Sequence, residues 1–495
     1  MTRWRLALKG LLWHRLSYLA VAACIATTCA VLCGALLVGG SVKESLREKA
    51  MERLGRTESA LLSGKFFRED LAGELDSPFP VVPMILLQGS VRHAGNSSLA
   101  TRVNIIGVDG RFNAVHPEDP LQEVEFREAR INKTLAEELS SDTGDDLLVS
   151  FELLSDIPRE HALGNRESAA ERIRLTVASV QGDSGAGIFN LKLQQETPRN
   201  IFVSLKRLQK ALGREGEVNS LVACRAEVNA PQPAELEKSL RRSVKLADLG
   251  LKLRSDPSHG YLALESRDFL LDSRIVRAAR RSISENGYQH QEVLSYLANS
   301  ITLADKGREI PYSIITAAGP WVRPGGEISS YPLGVTENGI EVWRPGNIFL
   351  NSWAARDLGA RPGDRIMLKY FAMDSAHEVA ERSIELGLAG VIDLDGRALD
   401  PGWTPEYPGV SDAETFADWD PPFPIDHSKI REPGPDGEYW KKYRTTPKGF
   451  ISIREGRDLW EGKYGQLTSI RLRKAGDGAG EDLVAEYTEH LLAAI

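Results

Sequence analysis

The chain has 495 residues, 26% charged and 42% hydrophobic, with a formal net charge of −8. That length exceeds one compact core and implies two or three domains, while the acidic balance argues against nucleic acid as a partner. Of the four cysteines, Cys24, Cys29 and Cys33 share one apolar stretch. Cys224 is then alone outside it, which excludes a cysteine zinc site and a disulfide between globular segments.

That apolar stretch, SYLAVAACIATTCAVLCGALLVGG, runs from Ser17 to Gly40 without a charge. As a helix it would reach roughly 36 Å, enough for a hydrocarbon core of about 30 Å. A cleaved signal has a shorter core, about 7–15 residues, and a small-residue exit site. Ser41-Val42-Lys43-Glu44 offers no such exit, and the lipoprotein-like VAAC ending at Cys24 is followed by further apolar residues, so a retained anchor is expected. Ala22, Ala26, Ala30 and Gly34 fall four apart, a small-residue stripe suited to helix packing in lipid. Basic residues lie on both sides (Arg3, Arg5, Lys9 and Arg15 before; Lys43, Arg47, Lys49, Arg53 and Arg56 after), so flanking charge alone does not orient the segment. Val42, Leu46, Ala50 and Leu54 prolong a helical period as a stalk, with Gly55 as its natural stop.

Strand-like runs follow, VVPMILLQGSV and then TRVNIIGVDGRF from Thr101. An internal repeat comes next. INKTLAEELSSDTGDDLLVSFEL from Ile131 aligns without a gap on LNSWAARDLGARPGDRIMLKYFA from Leu350, setting Asn132 on Asn351, Gly144 on Gly363 and Asp145 on Asp364. ERIRLTVASV from Glu171 is matched to ERSIELGLAGVI from Glu381. Each copy reads as a short helix opened by Asn, a Gly-Asp turn and a strand. Between the copies, NAPQPAELEKSLRR reads as a Pro-marked helix start. After the second copy, prolines interleave with Trp403, Tyr407, Phe416, Trp419 and Phe423, which predicts an ordered, irregular cover over a core because disordered linkers are poor in aromatics. EDLVAEYTEHLLAAI closes the chain as an amphipathic helix too short to span.

Chemistry is sparse. Gly182-Asp183-Ser184-Gly185 has the look of a serine-nucleophile loop, but no histidine in a suitable context precedes it, His161 lying in a polar loop. Its flanks, RIRLTVASV and GIFNLKLQQ, predict a tight hairpin instead. Asp418, Asp420 and Asp426 cluster near Trp419 as sugar-site carboxylates would. Alternate residues of an extended chain point apart, so capping and turn roles are expected. The nine histidines form no H-x-x-x-H or H-x-H pair and no P-loop occurs, so catalytic, cofactor and metal sites are all expected to be absent.

The succession of basic N-terminus, membrane helix, stalk, NIIGVDGRF, INKTLAEELSSDTGDDLLV, GIFNLKLQQETPRNIFVSLKRLQKAL and GEVNSLV resembles the FtsX-type permeases of ABC transporters that carry a MacB-like periplasmic core domain. The resemblance covers roughly residues 1–250; LNSWAARDLGARPGDRI and DWDPPFPIDHSKI look like an extended variant. It implies an α+β protein with one N-terminal transmembrane helix and stalk, then a two-part mixed α/β extracytoplasmic domain with an internal repeat. The expected boundaries are a cytoplasmic N-terminus at 1–16, the span at 17–40, the stalk at 41–60, and related halves at 61–245 and 246–495. The resemblance further implies an inner-membrane, non-enzymatic dimer whose bulk is periplasmic, coupled to a separate cytoplasmic ABC ATPase. Such permeases carry three more membrane helices after the core domain, expected here on a separate chain or in a missing C-terminal part. The alternatives are an anchored extracytoplasmic hydrolase using Ser184 or the Asp418–Asp426 region, or a cell-envelope scaffold.

Overall fold

A computed structural model describes residue 4 and residues 13–77, 79–152, 170–192, 194, 196–225, 233–304, 307–334, 343–373, 379–407, 409–419, 425–460, 465–474 and 481–495. Arg3, Arg5, Lys9, His161, Asp420 and Phe423 lie outside them.

The apolar stretch and the stalk form one unbroken helix, α1 (Arg15–Leu54), of 40 residues, about 60 Å long. By length and composition it can cross a membrane, and none of its apolar window is buried. Thr27 and Thr28 donate to the carbonyls of Ala23 and Cys24 at 2.6 and 2.8 Å, so their hydroxyls are satisfied without water. Ala22, Ala26 and Ala30 are exposed, and a Cβ built on Gly34 meets nothing within 4 Å. The helix stops at Leu54, short of residue 60, and β1 (Thr57–Arg68) begins directly. Gly55 makes that turn at φ +56°; a Cβ there would lie 2.4 Å from the Val115 carbonyl oxygen. The adjoining backbone is fastened by Arg56 N–H to Val115 O (2.8 Å) and Arg225 N–H to Arg56 O (2.6 Å). Arg53, 9% exposed, donates to the Gln194 carbonyl.

Contacts divide the chain into two units: Met1–Ser63, Ala72–Phe151 and Glu171–Ser239; then Gly64–Leu71, Glu152–Ala170 and Leu240–Ile495. The first contains β2 (Val81–His93), β3 (Leu99–Val108), β4 (Glu128–Asn132), α2 (Lys133–Leu139), β5 (Asp146–Glu152), β6 (Ala170–Gln181), β7 (Asn200–Ser204), α3 (Leu205–Leu212) and β8 (Glu217–Cys224). Six strands close a ring in the order β2-β3-β7-β4-β6-β5, with β5 returning to β2; β8 and β1 extend outward from β2. Cys224 is buried on β8, where burial pushes its thiol up to about 11, an inert core residue.

After α4 (Pro233–Ser243), the second unit contains β9 (Leu251–Asp256), β10 (Tyr261–Ser266), α5 (Ser273–Glu285), β11 (Gln289–Leu303), β12 (Glu309–Ala318), β13 (Trp321–Val322) and β14 (Ile328–Ser330). It continues with β15 (Asn347–Asn351), α6 (Ser352–Leu358), β16 (Arg365–Met373), β17 (Val379–Ile392), α7 (Pro435–Tyr443), β18 (Gly449–Ser452), α8 (Ile453–Trp460), β19 (Ser469–Arg473) and α9 (Glu481–Ala494). Again six strands close, β11-β12-β18-β15-β17-β16, and β19, β10 and β9 extend from β11. The Pro-rich segment is an ordered cover of 3-10 turns that buries Trp403, Tyr407, Phe416 and Trp419. Helix α9 buries Leu483, Tyr487 and Leu491 in the same cluster as Val276 and Ile283 of α5.

The repeat is reproduced hydrogen bond by hydrogen bond. Asn132 caps α2 by accepting from Leu135 N–H and donates to Pro198 O at 2.7 Å; Asn351 caps α6 by accepting from Ala354 N–H and donates to Pro447 O at 2.9 Å. Gly144 (φ +98°) and Gly363 (φ +96°) donate to Val177 O and Leu388 O, each at 2.8 Å. Asp145 and Asp364 accept from the N–H three residues earlier, both at 2.8 Å. The later match needs a correction. The parallel ladders end at Asn132↔Gln181 and Asn351↔Ile392, so Glu171 corresponds to Arg382, not Glu381. A one-residue slip would exchange the two faces of the strand.

Asn351 is fully buried and serves three partners. Asn351→Ala removes a cap and strands a buried carbonyl, so unfolding in urea should lose about 2–4 kcal/mol, whereas an alanine at the exposed neighbour position Arg356 should stay within about 0.5 kcal/mol.

Candidate functional site

In a strand, every second residue faces the same way. Strands β11 and β19 run antiparallel with Gln289 opposite Arg473 and Gln291 opposite Arg471, which sets four polar side chains on one face. The first unit builds the same ladder from β2 and β8. Counting residue for residue, Val293↔Ser469 matches Pro83↔Leu221, so Gln291↔Arg471 falls where the first unit has Val81↔Ala223. The scaffold therefore does not require polar residues there. The second unit introduces them.

These residues border a cavity of about 730 Å³. Its other walls are the β13–β14 hairpin, the turn from β9 to β10, and the turns at Gly396–Leu399 and Pro401–Trp403. Arg471 is 2% exposed and lies between two rings, its guanidinium carbon 4.5 Å from the Tyr261 centroid and 3.9 Å from that of Trp403. Its Nη1 forms an ion pair with Asp400 Oδ2 (3.0 Å) and donates to Gln291 Oε1 (3.3 Å). Among the described residues its Nε and Nη2 have no hydrogen-bond acceptor.

Asp400 is saturated by protein donors. Its Oδ1 accepts from Tyr261 O–H at 2.6 Å and from Gly402 N–H at 2.8 Å. The main chain can pass so close only because residue 402 is glycine: a Cβ there would lie 2.2 Å from the Tyr261 hydroxyl. Burial, and behind it the Asp400 carboxylate, hold the Tyr261 phenol above its ordinary range despite the nearby Arg471. Beside this group, His259 Nδ1 lies 3.0 Å from Asp256 Oδ1, which also accepts from Ser258 O–H at 2.5 Å. Burial opposes ionisation of Asp256, but the hydrogen bonds from Ser258 and His259 bring its carboxyl down to about 2.

Ligand atoms of Asp256, His259 and Asp400 lie within 4.8 Å of one another. The set does not suit a metal ion. Arg471 Nη1 is 3.0 Å from Asp400 and Arg254 Nη1 is 3.6 Å from Asp256, so a cation would sit against two fixed guanidiniums. The trio is the acidic part of a mixed ion-pair network.

Away from that network the cavity is positive. Arg397 and Arg473 have no carboxylate partner among the described residues; Arg473 donates to Gln289 Oε1 at 3.2 Å and lies over the Trp321 ring at 4.2 Å. Burial, and then the charge of Arg397, disfavour the protonated form of Arg473. Two like charges thus share one partly desolvated wall.

The sequence-level candidates lie elsewhere. The expected hairpin at Gln181–Gly187 does not form: β6 ends at Gln181, a 3-10 turn spans Gly185–Ile188, and the described residues of GIFNLKLQQ form no strand. The segment instead serves the barrel, because Asp183 accepts from Thr134 N–H (3.2 Å), Thr134 O–H (3.0 Å) and Asn132 (3.2 Å). Asp418 accepts from Thr415 N–H and O–H, and Asp426 from Ser428 N–H and O–H, which are turn-closing roles. Asn132, Gly144 and Asp145 brace the first unit and Asn351, Gly363 and Asp364 the second, and none borders the cavity. Arg471 and Arg473 had one signal in sequence: SIRLR alternates arginine with apolar residues across a strand.

No family model and no curated protein matches the chain. Among solved structures it is similar to the periplasmic region of MacB from Actinobacillus actinomycetemcomitans, at 11% identity and a TM-score of 0.25, covering 39% of this chain and 86% of that one. It is also similar to the extracellular domain of the noncanonic ABC-type transporter YknZ from Gram-positive bacteria, at 12% identity and a TM-score of 0.22, covering 37% and 91%.

The depressed Asp256 carboxyl makes a signed prediction. Its folded value lies below the ordinary 3.8, so its contribution is complete above about pH 4 and lost as pH falls toward 2, amounting to about 2 kcal/mol. Denaturation profiles across that window should be shallower for Asp256→Asn than for the parent by that amount; equal slopes would show that the carboxylate is not held by this network.

Proposed function

We propose that the chain is a membrane-anchored component of an ABC-type transporter whose duplicated barrel region lies outside the cytoplasm and handles a substrate or partner. The observation that carries the reading is the unbroken helix α1, whose last turn is pinned to the first barrel unit through Arg53, Gly55 and Arg56. A flexible tether would suffice for mere attachment. A continuous helix running from the apolar stretch into a fixed glycine junction can instead pass displacement or rotation between membrane and domain. The ordered likeness of NIIGVDGRF, INKTLAEELSSDTGDDLLV and GEVNSLV to FtsX-type permeases with a MacB-like core supports the same reading. On it, the N-terminus is cytoplasmic, the membrane is the inner (cell) membrane, and energy comes from a separate ABC ATPase. The stripe of Ala22, Ala26, Ala30 and Gly34 receives further permease helices in a dimeric assembly.

Purification of the full chain from its native membranes in mild detergent should recover a P-loop ATPase together with additional membrane helices. Ala26→Leu combined with Ala30→Leu should leave insertion intact while that assembly dissociates. Recovery of only a monomer from the parent chain would sink the reading. Replacing Gly55 with alanine should separate nucleotide hydrolysis from any response of the barrel domain, measured by hydrogen exchange across β2 and β8, because the added Cβ opens the junction.

A further inference from the structure

We infer that the arginine-walled cavity of the second unit is a binding site for a phosphomonoester group carried by a small polar solute or a lipid headgroup. Arg471 is almost wholly buried, it packs over the Tyr261 and Trp403 rings, and Nη1 is committed to Asp400 and Gln291. The two N–H groups left over, on Nε and Nη2, have no acceptor among the described residues and almost no accessible surface, so Arg471 sets a fixed buried cation into the cavity wall rather than an open edge. Leaving both unsatisfied in a buried position is unfavourable, and nothing in the barrel scaffold demands it, since the first unit has an alanine there.

Charge selects among oxyanions. Asp400 balances Arg471 at 3.0 Å, and Glu327 balances Arg323 at the rim at 3.1 Å. Arg397 and Arg473 remain as two uncompensated cations facing the same cavity. A phosphomonoester carries between about −1.5 and −2 near neutral pH, which matches that pair better than a monocarboxylate does. The volume of about 730 Å³ exceeds what a bare ion needs and leaves room for a polar body against Gln289, Gln291 and Tyr331. The site is independent of how the chain is coupled to a transporter, so its test does not depend on recovering an ATPase.

The test uses the full chain in an uncharged detergent, with calorimetric titration and thermal unfolding. The probes are glycerol 3-phosphate for a solute, dihexanoyl phosphatidate for a headgroup, glucuronate for a carboxylate, and glycerol as neutral control. Either phosphate probe should bind and raise Tm, with affinity falling as salt rises; binding of phosphatidate alone assigns a lipid source, and binding of glycerol 3-phosphate assigns a solute. Arg397→Gln and Arg473→Gln should each weaken binding by about 10-fold or more. Each variant should unfold in its ligand-free state within about 2 °C of the parent, which separates lost binding from misfolding. The inference falls if neither phosphate probe binds the parent chain, if glucuronate binds as tightly as phosphate, or if both arginine variants bind as the parent does.

Discussion

A strand has two edges, and the architecture depends on how one strand in each unit divides an edge between two neighbours. Strand β2 pairs with β8 over Val81–Met84 and with β5 over Gly89–His93, while β3 takes the other edge. Strand β11 does the same, meeting β19 over Gln289–Val293 and β16 over Ser300–Leu303, with β12 opposite. One half of the strand closes the barrel and satisfies its backbone groups without an open edge. The other half leaves the barrel and begins an outer sheet. The polar cavity of the second unit is hung on that outer half.

Duplication followed by local divergence then accounts for the cavity. Both units keep the capped helix, the Gly-Asp turn and the buried asparagine that ties the helix start to the returning segment. On the outer half the ladders match, but Val81↔Ala223 in one unit is Gln291↔Arg471 in the other. Burying an arginine is tolerable only with a counter-ion and fixed acceptors. Asp400 supplies the first, Gln291 the second, and Gly402 allows the loop carrying Asp400 to come close enough. Two aromatic faces complete the enclosure.

At the opposite end of the chain, the long apolar helix and its junction obey a different constraint. In lipid the backbone must satisfy itself, which favours one uninterrupted helix, and α1 remains helical through the charged stalk until Gly55. Only a residue without a Cβ fits beside the Val115 carbonyl at φ +56°, so the turn from helix to β1 is fixed in place. A helix joined to a domain through such a turn can transmit displacement, which is the physical basis of the transporter proposal.

The sequence by itself determined the long apolar helix, because an uncharged apolar run of that length has few alternatives, and it determined the duplication, because Asn132/Asn351 and Gly144/Gly363 are demanded by local backbone geometry. It also anticipated the turn-closing roles of Asp418 and Asp426 and the ordered aromatic cover. It failed where partners are remote in the chain. GIFNLKLQQ has strand-like composition, yet Asp183 is claimed by Thr134 and Asn132, and a 3-10 turn spans Gly185–Ile188. The offset between Glu171 and Arg382 was set by strand register, which short sequence matches do not fix. The arginine cavity was decided by tertiary structure alone: Tyr261, Gln291, Asp400 and Arg471 are scattered over some two hundred residues, and only the split edge of β11 brings them to one face.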